Sequence, residues 1–417
     1  MLASTRSSMH PVLFEIPLPH LVVPLGTSLA LLAIVGALVA ALGWRARARD
    51  LVALGAAIAV ASAFAAAGLR GKVAILGPMP IYGFGVMLCA GLTAGFILCL
   101  AHAERDGLSR DASAGTYFAA AVAGLLGARL LYVLTNLRDF DSVAQAFAFQ
   151  SGGLVFYGGV LGGLAGSVAY ARRHRLDWFA WADAAAPSLA LGSMLGRIGC
   201  YFAGCDYGVR LAPGAARFFT RLGTFPRWPD DVAGAGAGSP AWVDQVLYHG
   251  LPFDRPTALP VHPTELYESF TSCIVFAALL LLRERKQFRG QIFLAFVTLY
   301  GAARFALETV RDDPERGLYG PAAAPSVLVA LGFLVLGAAF VAGPSRSFAT
   351  PVLRAATRAL AATLPLVAYA ALASRTERTP LSTSQWIALA TSLAAAFVWR
   401  RSVRGDRRPT EHVPAPG

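Results

Sequence analysis

Long apolar runs, separated by short clusters of arginine and lysine, make up most of the chain. A helix needs about 20 predominantly apolar residues to span a bilayer. About eleven runs come near this length, and they lie at 21–44, 51–68, 80–102, 113–134, 153–171, 180–199, 264–283, 290–308, 322–343, 351–373 and 384–399. The pattern predicts an all-α, polytopic integral membrane protein with about eleven transmembrane helices and one large loop, 200–261.

The basic clusters indicate which way the helices run. If the N-terminus lies outside, four dense clusters share one side of the membrane: Arg45, Arg47 and Arg49; Arg172, Arg173 and Arg175; Arg283, Arg285, Lys286 and Arg289; and Arg400, Arg401, Arg404, Arg407 and Arg408. Basic loops are enriched on the cytoplasmic side. We therefore expect the N-terminus and the loop 200–261 outside and the C-terminus in the cytoplasm. The tract 233–240, rich in alanine and glycine, is typical of a flexible linker.

Composition supports a membrane protein and narrows the function classes. Charged residues are 14% of the 417 positions and hydrophobic residues 56%, whereas soluble domains have roughly 25% charged residues. The net charge of +12 lies in short clusters between the spans, which argues against nucleic-acid binding. The basic cluster after the first run also argues against a cleaved signal peptide.

The positions of the cysteines and the absence of the common nucleotide-binding motifs predict that the protein uses no cofactor and no metal. Cys89, Cys99 and Cys273 lie in apolar spans, whereas Cys200 and Cys205 follow the span 180–199. The chain has no P-loop, no glycine-rich dinucleotide motif after a strand, and no His or Cys spacing typical of a metal site. For Cys200 and Cys205 three roles stay open: packing, a disulfide or a catalytic thiol.

The stretch 196–208 carries a charge where an apolar span meets a loop. Arg197 lies near the end of the span, among glycines at positions 196, 199, 204 and 208. Arginine offers a planar, permanently charged fork suited to phosphate, and glycine lets the backbone approach a ligand closely. The alternative is an arginine that snorkels to the membrane interface in front of a flexible loop.

Other polar residues also gather at the ends of spans. In the topology above, all of the following fall toward the outer leaflet: Tyr82, Arg129, Tyr132, Tyr157, Arg197, His262, Arg304 and Glu308. Ionisable groups inside spans are costly and usually face a protein interior or an aqueous cavity. As a set, these residues predict an outer-facing cavity. The alternative is that each snorkels separately to the interface.

The span 290–308 places polar side chains on one stripe. Tyr300, Arg304, Glu308 and Arg311 recur at intervals of four, four and three residues, so they share one face of a helix. One interpretation is a structural ion pair that braces two helices. The other is that Glu308 orients Arg304 so that its free edge binds an anionic ligand.

Four motifs resemble those of the prolipoprotein diacylglyceryl transferase family. They are Gly-Gly-Leu-Val-Phe-Tyr-Gly-Gly at 152–159, Gly-Arg-Ile-Gly and the residues up to Gly208 at 196–208, His-Pro-Thr-Glu-Leu-Tyr-Glu at 262–268, and Tyr-Gly-Ala-Ala-Arg up to Glu308 at 300–308. The resemblance covers 73–342, which leaves an N-terminal extension, 1–72, and a C-terminal extension, 343–417, with two predicted helices each and a basic tail at the end.

The resemblance implies an enzyme of the bacterial inner membrane. Such an enzyme moves a diacylglyceryl group from phosphatidylglycerol to the lipobox cysteine thiol of a prolipoprotein, at the outer leaflet, and releases glycerol phosphate. We accordingly expect three partners: phosphatidylglycerol, a prolipoprotein signal peptide and the membrane. The alternatives are a divergent homologue with another lipid donor or acceptor and a non-enzymatic lipid-binding membrane protein.

The resemblance also implies two sets of site residues. The catalytic set is Arg197, Arg304, Tyr157, Tyr82 and Glu308. The substrate-binding set is Arg129, Gly199, Gly208, His262, Tyr300 and Asp206. The chain departs from the family pattern at Cys200, where asparagine is usual, at Cys205, where an acidic residue is usual, and at Tyr157, where histidine is usual.

The implied reaction needs a positive clamp on the phosphate and a base for the incoming thiol. Arg197 and Arg304 suit the clamp because charge grows on the leaving phosphate. The candidates for the base are Tyr157, Asp206 and His262. His262, which precedes a proline at the predicted start of a span, is alternatively a helix cap.

Overall fold

The computed structural model describes residues 11–17, 21–45, scattered positions from 52 to 66, 73–76, 78–140, 153–228, 238–312, 317–347, 350–375 and 377–405. The described part is mostly helical. Its named helices are α1 (Leu25–Arg45), α2 (Gly83–Arg105), α3 (Arg110–Thr135), α4 (Phe156–Arg173), α5 (Trp178–Ala203), α6 (Arg217–Leu222), α7 (Pro240–Tyr248), α8 (Thr264–Arg283), α9 (Gln291–Leu307), α10 (Pro325–Ala342), α11 (Pro351–Leu372) and α12 (Thr383–Gly405).

Among the residues described, three short antiparallel ribbons accompany the helices. They pair β1 (Val12–Ile16) with β4 (Met79–Tyr82), β2 (Leu21–Pro24) with β3 (Val73–Leu76), and β5 (Leu318–Ala323) with β6 (Thr379–Ser382). The hydrophobic pattern did not predict these strands, because each is only four to six residues long and three of them, β2, β4 and β6, directly precede an apolar helix.

The long helices agree with the predicted spans. Within the described residues, every predicted span except 51–68 coincides with one helix of at least 17 residues, and α9 is the shortest of these. In the part of the chain that the structure describes, six helices, α1, α2, α3, α8, α10 and α11, are long and apolar enough to cross a membrane by length and composition. The protein is therefore an all-α, multi-pass membrane protein. The span 51–68 falls largely outside the described residues, although the positions described between 52 and 66 are helical.

The chain divides into two compact units. One unit is Val12–Tyr82, with α1 and the ribbons β1–β4 and β2–β3. In it, α1 packs closely at Gly36, where an added Cβ would lie 2.6 Å from the backbone nitrogen of Ala59. The other unit contains α2 to α12, and all the site geometry described below lies in this second unit.

Helix α5 forms the centre of the second unit. A run of small residues on it is buried: Ala180, Ala182, Ala184, Ala185, Ala186 and Ala190. Small residues let membrane helices approach closely, and α5 packs against α2, α8 and α9. Asp177 begins the helix by accepting a hydrogen bond from the amide of Ala180 at 3.1 Å. Gly204, at φ 64°, ends it in the left-handed conformation that glycine adopts without strain.

The large loop is folded rather than extended. It contains α6, α7 and a hydrophobic cluster of Tyr207, Phe225, Ala241, Trp242, Leu251, Ala258 and Val261. The Gln245 side chain holds the loop together, because its amide nitrogen donates to the carbonyl of Leu259 at 3.1 Å and its oxygen accepts from the same residue's amide at 2.7 Å.

The predicted linker 233–240 is wrong at its end. Ser239 is fully buried and caps α7, and Pro240 is the first residue of that helix. Serine at the cap followed by proline at the first position is a helix-start signal, which the surrounding alanines and glycines obscure. Positions 233–237 lie outside the described residues.

The C-terminal segment packs onto the central helices. At Gly301 of α9, an added Cβ would lie 2.9 Å from the hydroxyl of Ser392 on α12. Trp399 of α12 is almost fully buried and its ring contacts that of Phe288 edge to face. Helix α12 is therefore an integral part of this unit.

Candidate active site

Three helices bring a pair of arginines to one buried carboxylate. Arg197 lies near the end of α5, Glu268 in the second turn of α8 and Arg304 in the last turn of α9. The Glu268 Oε1 atom lies 3.2 Å from Nε of Arg197, and its Oε2 atom lies 3.1 Å from Nη1 of Arg304. Tyr300, one turn before Arg304, donates its hydroxyl to Oε1 at 3.0 Å. Glu268 thus links the two arginines that the sequence predicted for one cavity.

Asp206 adds a second carboxylate and a third arginine. Its two oxygens lie 2.5 Å from Nη1 of Arg197 and 2.5 Å from Nη2 of Arg311. The residue has a positive φ of 64°, and its carbonyl accepts a hydrogen bond from the Thr264 hydroxyl. Burial would raise the pKa of Asp206, but the charges of Arg197 and Arg311 outweigh burial and hold that pKa below its usual value. Asp206 is therefore ionised at neutral pH.

Glu308 and Ser384 hold the other side of Arg304. The predicted i,i+4 ion pair is confirmed, with 3.0 Å between Nη2 of Arg304 and Oε2 of Glu308, and Glu308 is nearly fully buried. The same Nη2 atom donates to the Ser384 hydroxyl at 3.4 Å. Tyr157, at the start of α4, donates its hydroxyl to Ser384 at 2.7 Å. Four helices, α4, α8, α9 and α12, therefore meet around Arg304.

The cluster balances three arginines with three carboxylates: Arg197, Arg304 and Arg311 with Asp206, Glu268 and Glu308. Arg304 joins two helices through Glu268 rather than through Glu308, which lies on its own helix end. The binding of an anionic ligand by the free edge of Arg304 stays a prediction. Each guanidinium has five N–H donors, more than these contacts use. The side chains of Arg197 and Arg304 are 17% and 14% exposed, so each can still meet a ligand.

Gly208 and Gly199 are positions of close packing. A Cβ on Gly208 would lie 2.5 Å from the carbonyl oxygen of Val310 and 2.8 Å from Cβ of His262. Gly208 thus lets the loop after α5 pass between the end of α9 and the start of α8. A Cβ on Gly199 would lie 3.2 Å from Cα of Phe84, so this glycine faces α2. Their assignment as substrate-binding residues stays a prediction.

His262 lies in the chain just before α8. Its Nδ1 lies 3.1 Å from the hydroxyl of Tyr267, and its carbonyl accepts from the Gly208 amide at 2.9 Å. Pro263 occupies the cap position of α8 and no side chain caps the helix there, so the helix-cap interpretation of His262 is wrong. Burial, and then the charge of Arg375, lower the pKa of His262 below its usual value, and its imidazole is neutral at neutral pH.

Arg129 and Tyr82 are held in other surroundings. Arg129, near the end of α3, is buried and donates to the carbonyl of Gly153 at 3.1 Å. Its guanidinium also lies 5.4 Å from the centre of the Tyr132 ring. Tyr82 ends β4 in the N-terminal unit. The roles assigned to both residues stay predictions.

Cys200 and Cys205 meet in the motif that ends α5. The amide of Cys205 donates to the carbonyl of Cys200, and that of Gly204 to the carbonyl of Tyr201, both at 3.3 Å. This is the Schellman arrangement, in which the residues at these two positions usually make an apolar contact. Both cysteines are free thiols, and Cys200 lies 4.0 Å from Nη1 of Arg197. The geometry favours the packing role.

The two thiols and Asp206 are also close enough to hold a metal ion, since their ligand atoms lie within 4.8 Å of one another. However, both oxygens of Asp206 already bind arginines. The positive charges of Arg197 and Arg311 beside this trio oppose the binding of a divalent cation.

Sequence reasoning did not assign three residues that complete the cluster: Glu268, Arg311 and Ser384. Glu268 had a signal, because it is a carboxylate inside an apolar span and belongs to the motif 262–268. Arg311 had a signal in the stripe that starts at Tyr300. Ser384 had none, since it lies in a segment without a motif.

Comparison with known proteins gives consistent matches for the central part of the chain. A family model described as LGT, prolipoprotein diacylglyceryl transferase, matches residues 72–342. The phosphatidylglycerol–prolipoprotein diacylglyceryl transferase of Clostridium tetani is 26% identical over 238 residues, which are 57% of this chain and 83% of the relative. Its namesake from Oceanobacillus iheyensis is 29% identical over 58% of this chain and 77% of the relative. The enzyme of the same name from Bacillus cereus strain ATCC 14579 is 28% identical over 65% of this chain and 90% of the relative.

Proposed function

The chain belongs to the prolipoprotein diacylglyceryl transferase family, and on that premise we propose that it transfers a diacylglyceryl group from phosphatidylglycerol to the lipobox cysteine thiol of a prolipoprotein. A bond forms between the thiol sulfur and the diacylglyceryl carbon. The bond from that carbon to the phosphate oxygen breaks, and glycerol phosphate leaves with the bonding electrons. The thiol proton passes to a base.

One observation carries this proposal: Arg197 and Arg304, from different helices, are fixed on a single buried carboxylate, Glu268. The phosphodiester has one negative charge, and the glycerol phosphate that leaves gains a second. A pair of guanidinium groups that is already oriented stabilises this growing charge more than it stabilises the bound lipid. Such a site accelerates the reaction rather than only binding the substrate.

The attacking thiol needs little activation. A free thiol has a pKa of about 8.5, and nearby arginines favour the thiolate. Among the candidate bases, Asp206 is engaged by Arg197 and Arg311, and Tyr157 donates its hydroxyl to Ser384. His262 has a neutral imidazole. In the tautomer whose Nδ1–H donates to the Tyr267 hydroxyl, Nε2 carries the lone pair that can accept a proton. We therefore assign the base to His262.

We place the site at the outer leaflet of a bacterial inner membrane, with the N-terminus outside and the C-terminus in the cytoplasm. The basic ends of α4 and α8, at Arg173 and Arg283, support this placement, because they lie at the opposite helix ends from Tyr157 and Glu268. Basic residues favour the cytoplasmic side.

Thiol labelling tests this orientation. In a background without the native cysteines, Asp254→Cys in the large loop reacts with an impermeant maleimide in intact cells, because this position is exposed. The matched variant Arg285→Cys, exposed between α8 and α9, reacts only after permeabilisation. The reverse pattern would invert the topology.

A transfer assay tests the function itself. The purified chain, in vesicles that contain phosphatidylglycerol, is given a synthetic lipobox peptide, and the peptide is analysed by mass spectrometry. We expect the peptide to gain the mass of one diacylglyceryl group, with release of glycerol phosphate. A peptide with serine in place of the lipobox cysteine stays unmodified. No mass gain with a well-folded protein, from phosphatidylglycerol or from other phospholipids, would contradict a transferase.

A further inference from the structure

The C-terminal segment beyond the family match reaches into the arginine cluster. The match ends at residue 342, whereas Ser384 lies in the first turn of α12. Ser384 is only 8% exposed, and its hydroxyl accepts from Tyr157 at 2.7 Å and from Arg304 at 3.4 Å. Ser384 therefore joins a site residue of α4 to a site residue of α9.

The start of α12 is held firmly in this place. The Ser382 amide donates to the Gln385 side chain at 2.9 Å, and the Gln385 amide donates to the Ser382 hydroxyl at 3.2 Å. This reciprocal pair is a capping box. The Gln385 side chain also donates to the carbonyl of Phe305 on α9 at 3.5 Å. The box therefore ties the turn that carries Ser384 to the turn that carries Arg304.

The hydroxyl of Ser384 suits a role as an acceptor between two donors. A serine oxygen accepts two hydrogen bonds, and Tyr157 and Arg304 supply both. Arg304 thus has a different partner on each side: Glu268 on Nη1, and Glu308 with Ser384 on Nη2. Removing the hydroxyl leaves the guanidinium held by carboxylates alone and leaves Tyr157 without this acceptor.

We propose that Ser384 is a positioning residue for the transfer reaction, supplied by the C-terminal segment, which fixes Arg304 and Tyr157 in the geometry that the leaving phosphate requires. This inference rests on the proposed transferase function. It also gives a structural reason for tyrosine at position 157, where the family usually has histidine, because the Tyr157 hydroxyl donates to Ser384 on α12.

Three full-length variants test the proposal: Ser384→Ala, Ser384→Thr and Ser392→Ala. Ser392 is a matched control, since it is a buried serine two turns further along α12 whose hydroxyl has no hydrogen-bond partner among the described residues. Initial rates of transfer to the lipobox peptide are measured over a range of phosphatidylglycerol concentrations. A misplaced catalytic group lowers kcat, whereas lost lipid binding raises KM.

We expect Ser384→Ala to lower kcat about tenfold while KM changes less than about twofold. Ser384→Thr, which keeps the hydroxyl, recovers most of the rate, and Ser392→Ala stays within about twofold of the parent chain. If Tyr157 is positioned through Ser384, Tyr157→Phe combined with Ser384→Ala costs less than the product of the two single effects.

The outcomes separate this inference from the proposed function. If the parent chain transfers and a folded Ser384→Ala variant matches its kcat, the positioning role is overturned and the function stands. An equal loss in Ser392→Ala would make the effect one of helix packing and would overturn the role as well. If the parent chain does not transfer, the proposed function fails, and the positioning role fails with it.

Discussion

Helices α5, α8 and α9 are joined by buried carboxylates at both ends of the group, and the two carboxylates bind different kinds of partner. At the end opposite the site, Asp183 of α5 is completely buried. Its oxygens accept from the backbone amides of Gly290, Ile292 and Phe293, at 2.7, 2.8 and 3.0 Å. Lys286 completes the shell at 3.0 Å. Asp183 thereby satisfies amides at the start of α9 that have no partner within their own helix.

At the site end, the buried carboxylate of Glu268 binds side chains instead. Its partners are Arg197, Arg304 and Tyr300. The amides at the start of α9 are fixed by the helix and already donate to Asp183, whereas an arginine keeps spare donors. A buried ion pair alone therefore does not mark a functional site. The kind of partner decides whether the pair stabilises the fold or prepares for a ligand.

The largest expected effect is on folding, at the Asp183 end. Asp183→Ala leaves three amides without their acceptor, whereas Lys286 keeps its pair with Asp106 at 3.1 Å. Each buried amide without a partner costs about 1–3 kcal/mol. We expect the yield of folded protein, measured by size-exclusion chromatography in detergent, to fall sharply. Asp111→Ala, at an exposed position on α3, is the control. If Asp183→Ala folded normally but lost transfer activity, Asp183 would serve the reaction rather than the fold, which would contradict this comparison.

The next effect is on transfer, at the site end. Arg304→Ala and Arg197→Ala each lower the transfer rate at least about a hundredfold, because a fixed donor to the growing charge is lost. Lysine at either position recovers little, since a point charge lacks the bidentate fork. Arg289→Ala is the control, as Arg289 is 73% exposed and pairs with Asp177 at the opposite end. Full activity in Arg304→Ala would remove the basis of the proposed clamp.

A smaller effect depends on pH, through Asp206. The folded pKa of Asp206 is held below its usual value, so its stabilising contribution is complete above about pH 4. It is lost as the pH falls through the folded pKa. The gap in thermal midpoint between the parent chain and Asp206→Asn is therefore wide at neutral pH and narrows below about pH 4. Asp254→Asn, at an exposed position, shows no such gap. A gap of constant size down to pH 3 would contradict the ion-pair account.

The smallest expected effect belongs to the two thiols at the end of α5. Cys200→Ser combined with Cys205→Ser keeps measurable transfer and nearly the parent yield, because the Schellman hydrogen bonds come from the backbone. Transfer rate and folded yield are measured side by side. Complete loss of transfer in a well-folded double variant would show that these thiols take part in the chemistry.

Periodicity within one helix predicted part of the site well. The Arg304–Glu308 pair follows from a spacing of four residues, and the structure contains it. Charges are rare in apolar spans, and this rarity predicted that Arg197 and Arg304 face the same cavity. In the structure both bind Glu268. Spacing along a single helix says nothing about contacts between helices, however, so the bridging role of Glu268 was not predicted.

Other features depend on tertiary packing that the sequence pattern does not encode. The buried Ser239 looked like part of a glycine-rich linker, because its cap partner is recognisable only once α7 is known. Ser384 lies 80 residues from Arg304 and 227 from Tyr157. No local pattern joins positions so far apart, so only the docking of α12 reveals this contact.

The nearness of Asp206 to Arg197 has a consequence for how the chain enters the membrane during synthesis. When α5 leaves the ribosome, Glu268 and Arg304 have not yet been made, and an arginine in the bilayer is costly on insertion scales, about 2.5–3.5 kcal/mol at the centre of a helix. Asp206 follows Arg197 by only nine residues. We expect this early counter-charge to let α5 settle in the bilayer before α8 and α9 arrive to complete the cluster.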